Sequence, residues 1–108
     1  MPSRHRSPDA ALTALGHPRR RQMLSLVLDR ERSSSELASR CKLSRPAASQ
    51  HLKVLRETGL VTLRRDGNRR LYRAHTTRLA EIKEMLDAFW GERLARLAEE
   101  LDPDDDDR

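Results

Sequence analysis

Two helix starts fall so close together in this chain that few folds can accommodate them. Ser33-Ser34-Ser35-Glu36 has the form of a capping box, with Ser33 as N-cap and Glu36 reaching back to its backbone N–H. The helix it opens puts Leu37, Ala38 and Cys41 on one side. A few residues later Ser44 offers a second N-cap, and Pro46 lies in a first turn, where its missing N–H costs nothing. The second helix carries Ala48, Leu52 and Leu55 at four- and three-residue steps and stops at Gly59. Glu36 to Leu55 spans 20 residues, the size and layout of a helix-turn-helix.

The flanks extend this unit. Ala10, Ala11, Ala14 and Leu15 form a short helical stripe that Gly16 ends, and Pro18 starts a helix whose apolar face is Leu24, Val27 and Leu28, with Met23 beside them. After Gly59, two β-prone runs, 60–65 and 69–74, flank Asp66-Gly67-Asn68, a hairpin signal. Asp66 reads as a turn residue, and Tyr72 as a ring packed at the hairpin base. From about Thr77 to Leu101 one long helix is predicted, and Asp102-Pro103 ends it. The order is α-α-α-α-β-β-α, mainly α with a β-hairpin wing: a winged helix-turn-helix. Residues 1–8 read as a disordered basic arm, 9–101 as the DNA-binding and dimerisation domain, and 102–108 as a disordered acidic tail.

Charge is distributed along that order. Residues 1–78 hold 18 basic and 6 acidic side chains, whereas 79–101 hold 3 basic and 6 acidic. A basic front with a slightly acidic helical back suits one polyanion-facing surface and a separate second face. On the second helix of the helix-turn-helix the outward positions are Arg45, Ser49, Gln50, Lys53 and Arg56. Arg forks onto guanine and Gln pairs with adenine in a major groove, while Lys53 and Arg56 suit phosphates. The N-terminal end of such a helix faces base edges, which favours Arg45 and Ser49 and brings Ser44 and Pro46 with them. His51 lies on the same helix, where a helix-packing or phosphate contact is expected. Arg64, Arg65, Asn68, Arg69 and Arg70 line the hairpin, a ribbon able to lie along flanking phosphates or a minor groove.

The terminal helix carries Leu79, Ile82, Leu86, Phe89, Trp90, Leu94, Leu97 and Leu101, mostly three or four residues apart. Hydrophobic residues are only 36% of the chain and aromatics 3%, a thin core for a monomer. Part of the stripe is expected to pack inward and the rest to meet a second copy across a two-fold axis, forming a homodimer.

Other classes lack their residues. There is no Gly-rich phosphate loop, no nucleophile motif and no clustered metal-ligand set, so neither an enzyme nor a cofactor is expected. One cysteine precludes an intrachain disulfide and fits a reducing cytoplasm. No apolar run approaches the roughly 20 residues of a membrane span, and no signal-peptide core follows MPSRHRSPD. Cys41, on the inward side with Leu37, reads as a small buried hydrophobe, with redox sensing as the alternative.

The stretch from Glu36 to Val61, ELASRCKLSRPAASQHLKVLRETGLV, resembles the recognition segment of the ArsR/SmtB-type winged-helix repressors. The Pro18–Leu28 segment, the basic hairpin and the terminal helix with Phe89-Trp90 match that family as well. The resemblance implies a dimer joined through the first and last helices, which adds Leu12 and Leu15 to the interface residues Leu79, Ile82, Leu86, Phe89, Trp90, Leu94 and Leu97. It also implies a double-stranded operator with inverted-repeat symmetry, overlapping a promoter. Relatives that sense metals carry Glu-Leu-Cys-x-Cys in the third helix; here Ala38 and Arg40 replace both thiolates, and the last helix has no His. Lys42 also stands where the family often has Gly. The expectation is a sequence-specific repressor that is not a metal sensor, with a winged-helix protein-interaction module as the alternative.

Overall fold

Local capping accounts for where each helix of this protein begins. The computed structural model describes residues 7–101; the acidic tail and the first six residues of the basic arm lie outside them. Ser7 accepts a hydrogen bond from Ala10 N and caps α1 (Pro8–Leu15), whose first residue is Pro8. The imidazole of His17 accepts from Arg19 N and caps α2 (Pro18–Leu26). Ser33 Oγ accepts from Glu36 N at the head of α3 (Ser34–Arg40), and Ser44 Oγ from Ala47 N at the head of α4 (Arg45–Glu57). Only half of the expected capping box forms. The Glu36 carboxylate bonds Arg32 and Arg40 instead of the Ser33 N–H, because two guanidiniums within reach are stronger partners than one amide. These bonds hold Glu36 below the usual carboxylate range, Arg32 being the larger influence.

α3 and α4 end alike. Gly59 follows α4 at φ 79°, its N–H bonding Arg56 O while Leu60 N–H bonds Leu55 O. Lys42 takes the same place after α3 at φ 57°, with Lys42 N–H on Ser39 O and Leu43 N–H on Ala38 O. A side chain in this left-handed region costs energy that glycine does not. Lys42→Gly is therefore expected to raise stability by about 0.5–1 kcal/mol, read as a thermal midpoint a few degrees higher. A lower midpoint would refute this account of the turn.

The wing is β2 (Val61–Asp66) and β3 (Arg69–Ala74), antiparallel from Val61↔Ala74 to Asp66↔Arg69. Asp66 thus belongs to a strand, and the turn is Gly67-Asn68, with Gly67 at φ 63° in the first central position. A third strand absent from the predicted order, β1 (Arg32–Ser33), pairs with the other edge of β3. Two polar residues carry no strand pattern, and Ser33 serves as both strand residue and helix cap.

Two compact units divide the chain between Arg78 and Leu79. In the first, the core is Ala11 and Ala14 of α1, Met23, Leu24 and Val27 around α2, Leu37, Ala38 and Cys41 of α3, Ala48, Leu52 and Leu55 of α4, and Leu60, Val61, Leu71, Tyr72 and Ala74 of the wing base. Leu28 is exposed, contrary to expectation, because α2 stops at Leu26 and the chain turns before Leu28. Cys41 is fully buried, which pushes its thiol pKa up and disfavours the reactive thiolate.

The terminal helical stretch is not one regular helix. α5 (Thr76–Leu86) leads into a π-helical turn (Asp87–Gly91) and then α6 (Glu92–Leu101). Ahead of α5, His75 Nδ1 accepts from Arg78 N, as expected of a residue in the cap region. Of the stripe, Ile82 alone is buried. Leu79 and Leu86 are half-buried, as are Leu12 and Leu15 of α1. Phe89, Trp90, Leu94, Leu97 and Leu101 are 46% to 64% exposed.

Candidate nucleic-acid interface

α4 buries Ala48, Leu52 and Leu55, and its 3.6-residue period leaves Arg45, Ser49, Gln50, Lys53 and Arg56 exposed. The wing stands beside this face, and two clefts between them share Ser49 and Arg70. The first, about 420 Å³, runs from Arg45 and Ser49 to Asn68, Arg69 and Arg70 at the wing tip, with Ser33, Ser34 and Ser35 as its third wall. The second, about 340 Å³, lies between Gln50, Lys53 and Arg56 on the helix and Arg65, Arg70 and Tyr72 on the wing. Helix and wing therefore present one polar surface, with Arg45, Lys53, Arg56, Arg65, Arg69 and Arg70 as its cations. Tyr72 is buried at the wing base, as the sequence predicted.

Strand alternation separates the arginines of the wing. Arg65 pairs across the ribbon with Arg70, whereas Arg64, one residue earlier, points to the opposite side. There its Nε and Nη2 donate to Glu31 at 2.9 and 2.8 Å. This bidentate bond holds the Glu31 carboxyl below its usual range and raises Arg64 further. Arg64, expected among the DNA-facing residues, is exposed and is tied to Glu31 in the loop before β1. Glu31, 33 positions away, gave no local signal. The serines of the third wall were likewise missed as lining residues, although three in a row exceed what one cap requires.

His51 stands apart from the outward row. Its Nδ1 accepts from Arg20 Nε at 3.3 Å, and its ring lies 4.5 Å from that of His17. Helix packing, one of its two expected roles, is what the structure places there. Burial, and then the charges of His17, Arg20 and Arg19, hold its pKa below the ordinary 6.5. The folded chain therefore resists protonating His51 more than the unfolded chain does. Its contribution to stability is complete above about pH 6.5 and declines below it until the folded imidazole itself titrates. His51→Gln, which keeps an acceptor for Arg20, is expected to flatten the fall in thermal midpoint between about pH 7 and pH 5. Parallel losses in both proteins would refute this.

Ser44 and Pro46 are exposed at the start of α4, Ser44 with its oxygen committed to the cap. Among the described residues, no three His, Cys, Asp or Glu side chains gather where they could hold a metal ion, and no helix is long and apolar enough to cross a membrane.

Comparison with known proteins agrees with this geometry. Residues 17–62, α2 to the start of β2, match the family profile described as bacterial regulatory protein, arsR family. The chain is 41% identical over 105 residues to the HTH-type transcriptional regulator Rv2034 of Mycobacterium tuberculosis, covering 97% of this chain and 98% of that one. This chain belongs to the ArsR family. Another relative, the transcriptional activator HlyU of Vibrio cholerae, is 41% identical over 75 residues, 69% of each chain. Among solved structures, the homodimeric winged helix-turn-helix DNA-binding domain (fragment 1–100) Mb0332 from Mycobacterium bovis superposes with a TM-score of 0.64 at 30% identity, covering 80% of each chain. This ArsR-family protein is a DNA-binding winged helix-turn-helix transcriptional regulator, and not an enzyme. The protein-interaction alternative raised by the sequence gives way to that reading.

Proposed function

We propose that this ArsR-family regulator is a homodimeric repressor that binds an inverted-repeat operator in the cytoplasm. The carrying observation is the continuity of the α4 face with the wing across two shared clefts. In this reading Arg45, Ser49 and Gln50 meet base edges in the major groove, and Lys53, Arg56, Arg65, Arg69 and Arg70 meet phosphates. A second copy covers the apolar stripe of Phe89, Trp90, Leu94 and Leu97. The homodimeric state of the M. bovis neighbour supports this. The two-fold would space the recognition helices about one DNA turn, roughly 34 Å, apart.

In this reading the regulator is also not a metal sensor, since neither position at which the resemblance would place a thiolate holds a cysteine. Ala38, at one of the two thiolate positions, is buried, and Arg40, at the other, donates to Glu36 at 2.9 Å.

Gel-shift titration of promoter fragments over a salt series tests the reading. Affinity is expected to fall with salt at a slope of about −0.9 per phosphate neutralised, and a salt-independent or absent shift would overturn it. Activation is the second reading, favoured by the name of the V. cholerae relative. A reporter behind the bound promoter separates the two, since repression requires output to rise when the regulator is removed.

A further inference from the structure

We propose that the cleft between the starts of α3 and α4 and the wing tip is a phosphate-binding site, in which Ser34 and Ser35 donate to a phosphate group held by Arg69 and Arg70. This deepens the DNA-binding reading and rests on it for one of the two phosphate sources considered. The lining of this 420 Å³ cleft is almost wholly donor in character: three arginines, four serines and Asn68, with no carboxylate. Other arginines nearby are neutralised, Arg64 by Glu31 and both Arg32 and Arg40 by Glu36. Among the described residues, Arg69 and Arg70 have no such ion pair. A site with several guanidinium and hydroxyl donors and no internal anion matches the tetrahedral oxygens of a phosphate.

The three consecutive serines acquire separate roles. Ser33 Oγ is committed to capping α3, while Ser34 and Ser35 have no cap to make. Arg45, on the remaining wall, is assigned to base edges and counts here only for its charge. A phosphate clamped between α3 and the wing tip would fix both to the same point of a ligand. That phosphate belongs either to the DNA backbone or to a free phosphorylated compound competing with DNA.

The test uses the full chain with Ser34→Ala and Ser35→Ala combined. Because Ser33 retains the cap, its thermal midpoint is expected to stay at the wild-type value. Binding to a short mixed-sequence duplex at low salt is expected to weaken about tenfold or more, the size of losing a hydrogen bond to a charged acceptor. The salt slope should not change, since no cation is removed. In parallel, pyrophosphate is titrated into DNA-free protein and followed by phosphorus NMR, with Arg69→Gln/Arg70→Gln as a second variant.

Serine-dependent loss of duplex binding alone supports the proposal and names the DNA backbone as the source. Serine- and arginine-dependent pyrophosphate binding supports it and names a free phosphate compound, with or without the DNA effect. Unchanged behaviour of the serine variant in both assays overturns it. If wild-type protein binds no duplex, the DNA reading fails by itself, and pyrophosphate alone decides the cleft.

Discussion

Replacing Leu94 and Leu97 together by glutamate is expected to leave a folded monomer that has lost most of its operator affinity. Both leucines are more than half exposed in the single chain, on the same side of α6 as Leu101 and following the edge-to-face pair Phe89–Trp90, whose centroids lie 4.8 Å apart. Covering a large apolar side chain contributes roughly 1.5–3 kcal/mol. A two-fold interface counts each substitution twice, so the double variant forfeits about 6 kcal/mol or more and adds four carboxylates to desolvate. Dimer dissociation should rise at least about ten-thousandfold. Glutamate is a good helix former, so helical content by circular dichroism should hold. With the recognition helices no longer linked, each half-site is bound alone and the gain from effective concentration disappears. Trp90 is the only tryptophan and provides a second readout. Its emission should shift to longer wavelength as the wild type is diluted through its dissociation constant and stay unchanged in the variant. A variant that sediments as a dimer would overturn the assignment of this stripe.

What could be read in the sequence was local in cause. Ser33, Ser44 and Gly59 act within three or four residues of themselves, so helix starts and stops followed from residue type. Ala48, Leu52 and Leu55 declared the inward face of α4, and its outward row followed. The wing was legible because a two-residue turn with Gly67 constrains both strands at once.

The remainder depended on residues brought together from afar. Neither Glu31 nor Arg64 signals the other, so their ion pair could not be read from either residue's neighbours. Strand β1 exists only because β3 has a free edge for it to join. The π-helical turn at Asp87–Gly91 changes the phase of the stripe without changing its hydrophobic spacing, and periodicity alone does not register it. Ile82 shows the same limit, since its place in the stripe was clear while its burial was not.

Arg45→Ala should cost about 1–3 kcal/mol of operator affinity and relax preference at one base position per half-site. Arg45 is the first residue of α4, exposed, and separated from the core by one turn from Ala48. In the proposed complex a side chain at that end of α4 would reach the floor of the major groove, whereas Lys53 and Arg56, farther along, would lie nearer the groove wall and its phosphates. The two roles leave different marks. Losing a base contact penalises the correct sequence and spares others. Losing a phosphate contact weakens all sequences equally and lowers the salt slope by about 0.9. Lys53→Ala is expected to behave in the second way. Arg45→Lys separates charge from shape, because it keeps the cation and loses the planar fork that matches guanine O6 and N7. The lysine variant should therefore retain the wild-type salt slope while its base preference relaxes as in Arg45→Ala. Selection of bound fragments from a randomised pool, followed by titration of the winning site at several salt concentrations, measures both quantities. If Arg45→Ala lowered affinity uniformly over the pool and reduced the slope, Arg45 would be a phosphate ligand, and base reading would pass to Ser49 and Gln50 one turn further along α4.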